Sequence, residues 1–249
     1  MANQLIANRY EILSRLGSGG VAVIYKVKDL SLKNGCALKT LKNEDPKPEQ
    51  IVRFQKEASA VSGFRHANIV STLDFGIDEN NRPYLVMDFV EGITLKQFLK
   101  RNGPFPEDKA IPVIEKLCDA LAYIHKQDIL HRDLKSSNIM VAGASLAMKH
   151  DWSKNTEIDI KLFDFGLVKH FEDSLSGGLT KPGMYLGTPL YSSPEQCENQ
   201  KLDERSEIYS LGCLIFEMLT GVVPFRGETA LDTINMHKHE KAPSLKEAN

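Results

Sequence analysis

The segment His131-Arg132-Asp133-Leu134-Lys135-Ser136-Ser137-Asn138 constrains this chain more than any other stretch. Five of its positions (His131, Arg132, Asp133, Leu134 and Asn138) form a fixed pattern. At residue frequencies near one in twenty, such a pattern arises by chance at about one start in a million. Asp164-Phe165-Gly166 follows, with Asp164 26 positions beyond Asn138. If Asn138 and Asp164 face one site, the chain between them must run as strand, turn and strand. Hairpin loops are commonly about 2–5 residues, so the longer polar stretch 142–156, which includes Trp152, reads as an exposed insertion. The plainer alternative is a buried polar turn followed by an ordinary Asp-Phe-Gly turn. What lies upstream bears on the choice.

Upstream, Leu16-Gly17-Ser18-Gly19-Gly20-Val21-Ala22-Val23-Ile24-Tyr25 reads as strand, glycine turn and strand, because Tyr10–Leu13 and Val23–Val27 alternate or carry β formers. Glycines let backbone lie close over phosphates and point N–H groups at them. Alone, Gly17-x-Gly19 fits a plain hairpin turn equally well, and Ala22 stands where a third glycine would. A third strand, Gly35–Leu41, sets Lys39 among apolar neighbours. A strand-end lysine is usually just solvated, but its distance behind the glycine turn makes Lys39 a candidate phosphate ligand. Pro46 and Pro48 mark a helix start, with helix over 49–62. Glu57 on that helix could pair with Lys39, although mid-helix glutamates usually face solvent. Strands at Leu73–Ile77 and Pro83–Val90 lead to a joint near Glu91, where strands give way to helices.

Ala110, Ile114, Leu117, Leu121 and Ile124 follow 4-3-4-3 spacing, one apolar stripe on a helix. Pro112 is tolerable only near the first turn, so that helix should begin near Asp108. It ends just before residues 131–138 and would position Asp133. Ile208–Leu219, closed by Gly221, is apolar nearly all round and must be buried on most sides. Only Val222–Asn249 follow to cover it.

A chain of 249 residues holds one large domain or two lobes. A net charge of −2 gives no reason to expect nucleic acid or an anionic membrane as partner. No signal peptide is visible, and the most apolar stretch, Ile208–Val223, contains Glu217 and is too short to span a bilayer. Cys36, Cys118, Cys197 and Cys213 lack the paired spacing of zinc or redox sites. Free thiols and a cytoplasmic location are expected.

In their order, from about Tyr10 to Leu245, these segments resemble the protein kinase superfamily, most closely the eukaryotic-like Ser/Thr protein kinases of bacteria. The resemblance implies an α+β, two-lobed fold over 1–249: a β-rich N-lobe at 10–90 and a mainly helical C-lobe at 91–249. It implies ATP and Mg²⁺ as cofactors and Ser/Thr hydroxyls of proteins as acceptors of the γ-phosphoryl group. By the same resemblance Asp133 takes the hydroxyl proton, Lys135 neutralises the transferring group, Lys39 and Glu57 orient ATP, and Asn138 and Asp164 hold Mg²⁺. Leu16, Gly17, Ser18, Gly19 and Gly20 line the nucleotide. Ile24, Ala37 and Met140 sandwich adenine, beside the Asp88 carbonyl, the Val90 N–H and Met87 as gatekeeper. Val61, Leu73, His131 and Phe165 resemble the apolar stack of active kinases.

Lys135 and the segment Gly187–Glu195 match Ser/Thr rather than Tyr kinases, with Thr188 touching Asp133 and Lys135. That peptide platform argues against a small-molecule phosphotransferase. Arg132 supplies a cation that a phosphorylated activation loop could neutralise. Thr180 is the leading autophosphorylation position, ahead of Ser174, Ser176 and Tyr185.

Three departures from the pattern are visible. Ala22 replaces a glycine. Glu207 stands where the family carries an Asp that holds the catalytic-loop backbone. Glu195 normally pairs with a later arginine, and neither Arg205 nor Arg226 is at the matching place. Breaking such a buried pair costs about 3–5 kcal/mol, against a typical stability of about 5–15 kcal/mol. Uncovered faces of Ile208–Leu219 would add an apolar patch. The expectation is a C-lobe incomplete at its C-terminus: either the chain is a fragment of a longer kinase, or a partner or second copy covers that surface. A nucleotide-binding regulatory module without turnover is the alternative function.

Overall fold

The computed structural model describes residues 4–19, 22–43, 46–144, 149–154, 157–165 and 189–248. The chain divides into two compact units, Met1–Val90 and Glu91–Asn249.

The first unit is built on a six-stranded sheet in the order β1-β2-β3-β4-β6-β5, every neighbour antiparallel. Its strands are β1 (Leu5–Ile6), β2 (Tyr10–Ser18), β3 (Ala22–Asp29), β4 (Gly35–Leu41), β5 (Thr72–Ile77) and β6 (Pro83–Asp88). Cys36 and Leu38, two residues apart on β4, point to the same face. They share one buried cluster with Tyr10, Val27 and Val86. The unit's one helix among the described residues, α1 (Pro48–Val61), starts on Pro48, whose fixed φ suits a first helical position. Phe54 and Ala58 bury against Leu41 and Leu85, with Met87 alongside.

A polar knot stitches the strands together at one edge. The Arg9 guanidinium donates to Asp29 at 2.7 Å and to Asp74 at 2.9 Å, and the Tyr10 hydroxyl donates to Asp74 at 2.6 Å. Arg9 holds the buried Asp29 carboxyl below the usual carboxylate range.

The second unit carries a three-stranded antiparallel sheet, β7 (Gly92–Thr94), β8 (Ile139–Ala142) and β9 (Ile160–Leu162). Around it lie α2 (Leu95–Asn102), α3 (Glu107–His125), α4 (Pro194–Cys197), α5 (Glu204–Thr220), α6 (Ala230–His239) and α7 (Leu245–Ala248). Thr94 and Gln97 form a reciprocal capping box that starts α2. Helix α3 begins one residue before the expected Asp108, so Pro112 falls in its second turn. Val113 and Ala120 are buried there with Ala110, Leu117, Leu121 and Ile124, while Ile114 is only half-buried.

Helix α5 ends at Gly221 in the left-handed conformation, φ 80°. It buries Leu211, Leu214, Phe216 and Met218, and also Ser206, Glu207 and Ser210. Ile208 points out at 63% exposure, so one face of this helix stays open. No helix among the described residues is long and apolar enough to cross a membrane.

Within 142–156 most described residues are exposed, as expected, but Trp152 and His150 are not. Trp152 is half-buried, edge-on to Phe98 at 5.8 Å and to Phe105 at 5.0 Å, with His150 at 4.7 Å. The His150 N–H donates to the Asn102 side chain at 2.8 Å. A large ring in polar sequence found partners at the end of α2, which periodicity could not show.

Candidate active site

In the second unit, α3 delivers the chain into the 131–138 loop. His131 is fully buried, its Nε2 3.1 Å from the Phe163 carbonyl and its ring 4.7 Å from Phe165. Its Nδ1 accepts the Asp133 N–H at 3.3 Å. One neutral tautomer satisfies both bonds, and burial pushes the His131 pKa down, which favours that neutral ring.

Asp133 is the centre of the loop. Lys135 Nζ donates to Asp133 Oδ2 at 2.7 Å, and Asn138 Nδ2 donates to the same oxygen at 3.0 Å and to the Asp133 carbonyl at 2.9 Å. These bonds assign the Asn138 amide: its nitrogen serves Asp133, and its oxygen is the atom left for a cation. The β8–β9 pairing sets Ile139 opposite Leu162, and the Phe163 N–H donates to the Asn138 carbonyl at 3.0 Å. Asp164 follows directly, half-buried, with φ 61°. The two strands expected between Asn138 and Asp164 are therefore present and paired antiparallel.

Glu207 resolves the second departure. Its longer side chain reaches the loop: Oε1 accepts the Arg132 N–H at 2.6 Å, and Oε2 lies 2.6 Å from His125 Nε2. Arg132 is held at φ 64°, a left-handed conformation unusual for a residue with a Cβ. Gln196 Nε2 adds a bond to the Arg132 carbonyl at 3.2 Å. His125 reads from sequence only as a helix end. No local signal pairs it with Glu207, 82 positions away.

The hydrogen bond to Glu207 raises the His125 pKa, with burial working against it. A raised folded-state value means that this contribution is complete below the unfolded pKa of about 6.5 and fades as pH climbs through the folded value. We expect His125→Gln to lower the melting temperature most near about pH 6 and progressively less at alkaline pH. Thermal melts of both proteins across pH check this; a pH-independent gap would remove the charge from the explanation.

Among the described residues, Glu195 accepts the Ser206 hydroxyl at 2.6 Å, while Arg205 is committed to Asp203 at 2.7 Å. No sequence signal marks a second, partly buried constellation. Glu217 accepts the Tyr191 hydroxyl at 2.7 Å and the Ser136 hydroxyl at 3.2 Å, and those two hydroxyls lie 3.0 Å apart.

In the first unit, Lys39 sits on β4 opposite Ile24 of β3 and Leu85 of β6. Ala37, two residues earlier and opposite Met87, shares that face. So Ile24, Ala37 and Lys39 line one face of the sheet, with Lys39 half-buried and Ala37 buried. Leu41 and Leu85 share this face, and α1 packs on them, which brings the helix bearing Glu57 over it.

At the β2–β3 turn, Gly17 pairs with Ile24 and Ser18 with Val23, beside an exposed Leu16. The Gly19 N–H donates to the Ala22 carbonyl at 2.9 Å, and Lys42 Nζ donates to the Gly19 carbonyl. A Cβ on Gly17 would meet nothing within 4 Å, and one on Gly19 only the Ala22 carbonyl at 4.0 Å. Asp88 is exposed opposite Cys36, Val90 is half-buried, and Met140 lies half-buried on β8 in the second unit. Gly20, the Glu57 side chain, Gly166, Ser174, Ser176, Thr180, Tyr185, Gly187 and Thr188 lie outside the described residues.

Comparison with known proteins agrees with this arrangement. The protein kinase domain family matches residues 10–248. A probable serine/threonine-protein kinase of Clostridium perfringens is 36% identical over the whole chain, which covers 34% of that protein. PrkC of Bacillus subtilis is 36% identical over 98% of this chain and 35% of its own length. PknB of Mycobacterium tuberculosis is 34% identical over 94% of this chain and 36% of its own. The chain thus spans about a third of the length of these curated relatives.

Among solved structures, the PknI kinase domain of Mycobacterium tuberculosis shares the fold at a TM-score of 0.70, with 22% identity, covering all of this chain and 84% of that one. Rad53 1–466 in complex with AMP-PNP matches at a TM-score of 0.68 and 26% identity, over 92% of this chain and 53% of that one. With a family match over almost its full length and a catalytic-type loop tied together around Asp133, this chain belongs to the protein kinase domain family.

Proposed function

We propose that residues 1–249 form the catalytic domain of a Ser/Thr protein kinase, with 10–90 and 91–249 as its two lobes, acting in the cytoplasm where ATP is supplied. The observation that carries the reading is the Asp133 carboxylate, gripped through one oxygen by Lys135 and Asn138. An acceptor hydroxyl gives its proton to the Asp133 carboxylate as its oxygen bonds to the γ-phosphorus, the β–γ bridging bond breaks, and ADP departs. Lys135 then offsets negative charge gathering beside Asp133.

The donors fit Mg²⁺: the Asn138 amide oxygen and the Asp164 carboxylate are hard oxygen ligands, and Mg²⁺ is typically bound by one or two carboxylates plus substrate phosphates. When bound, the ion neutralises charge on the transferring phosphates. Lys39, oriented by Glu57, takes the α- and β-phosphates; Leu16–Gly20 cover them, and Ile24, Ala37, Asp88, Val90 and Met140 receive adenine. Rad53, similar over most of this chain, is solved with AMP-PNP, which supports nucleotide binding. Thr188 is assigned to steady Asp133 and Lys135, and Thr180 to autophosphorylation.

Purified chain incubated with Mg-ATP is expected to gain phosphate by intact mass, with Thr180 among the mapped sites. ATP-induced thermal stabilisation with no phosphate transferred, to itself or to Ser/Thr peptides, would instead support the regulatory module.

The glycine turn allows a separate check. Since neither glycine is needed for packing and neither has a positive φ, Gly17→Ala should leave the melting temperature of the apo protein within about a degree or two. It should weaken ATP binding by roughly tenfold, because a methyl group would stand where backbone must approach phosphate. Unchanged ATP affinity, measured by calorimetry, would detach this turn from the nucleotide.

A further inference from the structure

Beside the catalytic loop, the second unit has a cavity of about 320 Å³ whose charge is lopsided. Lys96, Lys135, Ser136, Tyr191, Glu217 and Arg226 are among the residues that line it. Lys135 bonds Asp133 directly, so the cavity adjoins the carboxylate assigned to meet the acceptor hydroxyl.

Three cations and one carboxylate line this space, and the carboxylate is already engaged. Glu217 takes the Tyr191 hydroxyl on one oxygen and the Ser136 hydroxyl on the other. Burial raises its pKa, with Lys96 and Arg226 close enough to pull the other way. A basic side chain entering here would meet like charge on Lys96 and Arg226 and find both Glu217 oxygens already accepting hydrogen bonds. An acidic side chain would meet two long cationic side chains and leave the Tyr191–Ser136–Glu217 constellation intact.

We propose that this cavity selects protein substrates carrying an Asp or Glu close in sequence to the phosphorylated Ser or Thr. The proposal rests on the kinase reading and narrows its substrate class. Both cations sit on surface-reaching side chains, so the discrimination is moderate and screened by salt.

The test is a set of Ser/Thr peptides in which each position flanking the acceptor carries Glu, Ala or Lys in turn, assayed with the parent chain and with Lys96→Glu/Arg226→Glu. For the parent, kcat/KM for Glu over Lys at one or more positions should be about tenfold, shrinking as salt is raised. In the double variant that ratio should collapse or invert. Glu and Lys peptides used equally, Lys peptides preferred, or a preference untouched by the double variant would each overturn the proposal.

Peptide binding followed by fluorescence anisotropy separates the two claims. Glu-selective binding that depends on Lys96 and Arg226, without any phosphate transfer, would keep the cavity assignment and reject the catalytic reading. Phosphate transfer without charge selectivity would do the reverse.

Discussion

Replacing Asp133 by Asn should reduce phosphate transfer by about 10²–10⁴-fold while leaving the fold and ATP binding nearly intact. The variant keeps the shape of the side chain and removes its ability to accept a proton. Lys135 and Asn138, which bond Asp133 at 2.7 and 3.0 Å, retain an amide oxygen to donate to, so the loop has no reason to rearrange. The loss should therefore fall on kcat, with the ATP dissociation constant and melting temperature close to the parent. Rates on a Ser/Thr peptide, with melts on the same samples, check it. A variant that keeps more than about a tenth of the parent rate would mean that Asp133 does not act as the base.

Glu207→Ala should destabilise the protein by about 3 kcal/mol. Glu207 is 3% exposed and satisfies two groups at once, the Arg132 N–H and the His125 imidazole, each at 2.6 Å. The truncation strands a backbone donor, costing about 1–3 kcal/mol, and removes the countercharge of a nearly buried histidine. Glu207→Gln should fall between, because an amide oxygen can still accept from Arg132. Urea unfolding of the three proteins measures this. An alanine variant within about 0.5 kcal/mol of the parent would show that the clamp contributes little.

Elements fixed by local chemistry were legible before any coordinates. Gly35–Leu41 is the strand expected to set Lys39 among apolar neighbours, the Pro48 start of α1 follows from proline geometry, and Gly221 closes α5. The 131–138 segment was legible because so many of its side chains are set by one chemical task. What could not be read are the partnerships that close over long sequence separations. Arg9 with Asp29 and Asp74, His125 with Glu207, Tyr191 with Glu217 and Trp152 with Phe98 and Phe105 each look like ordinary surface or core residues in one dimension. Glu207 is the instructive case. Counting side-chain atoms left its reach open, and only the backbone position of Arg132 decided it.

Arg132 and Asp164 share one property beyond their neighbourhood: both have a side chain on a backbone turned to positive φ. Such a conformation is disfavoured by about 1–2 kcal/mol per residue outside glycine, and the surrounding bonds at Glu207, Gln196 and Phe163 hold it in place. That tension is settled when the polypeptide folds, well before nucleotide or peptide arrives. On the proposed kinase reading, a reactant finds the groups on both segments already aimed, and its own association energy is not drained into bending them.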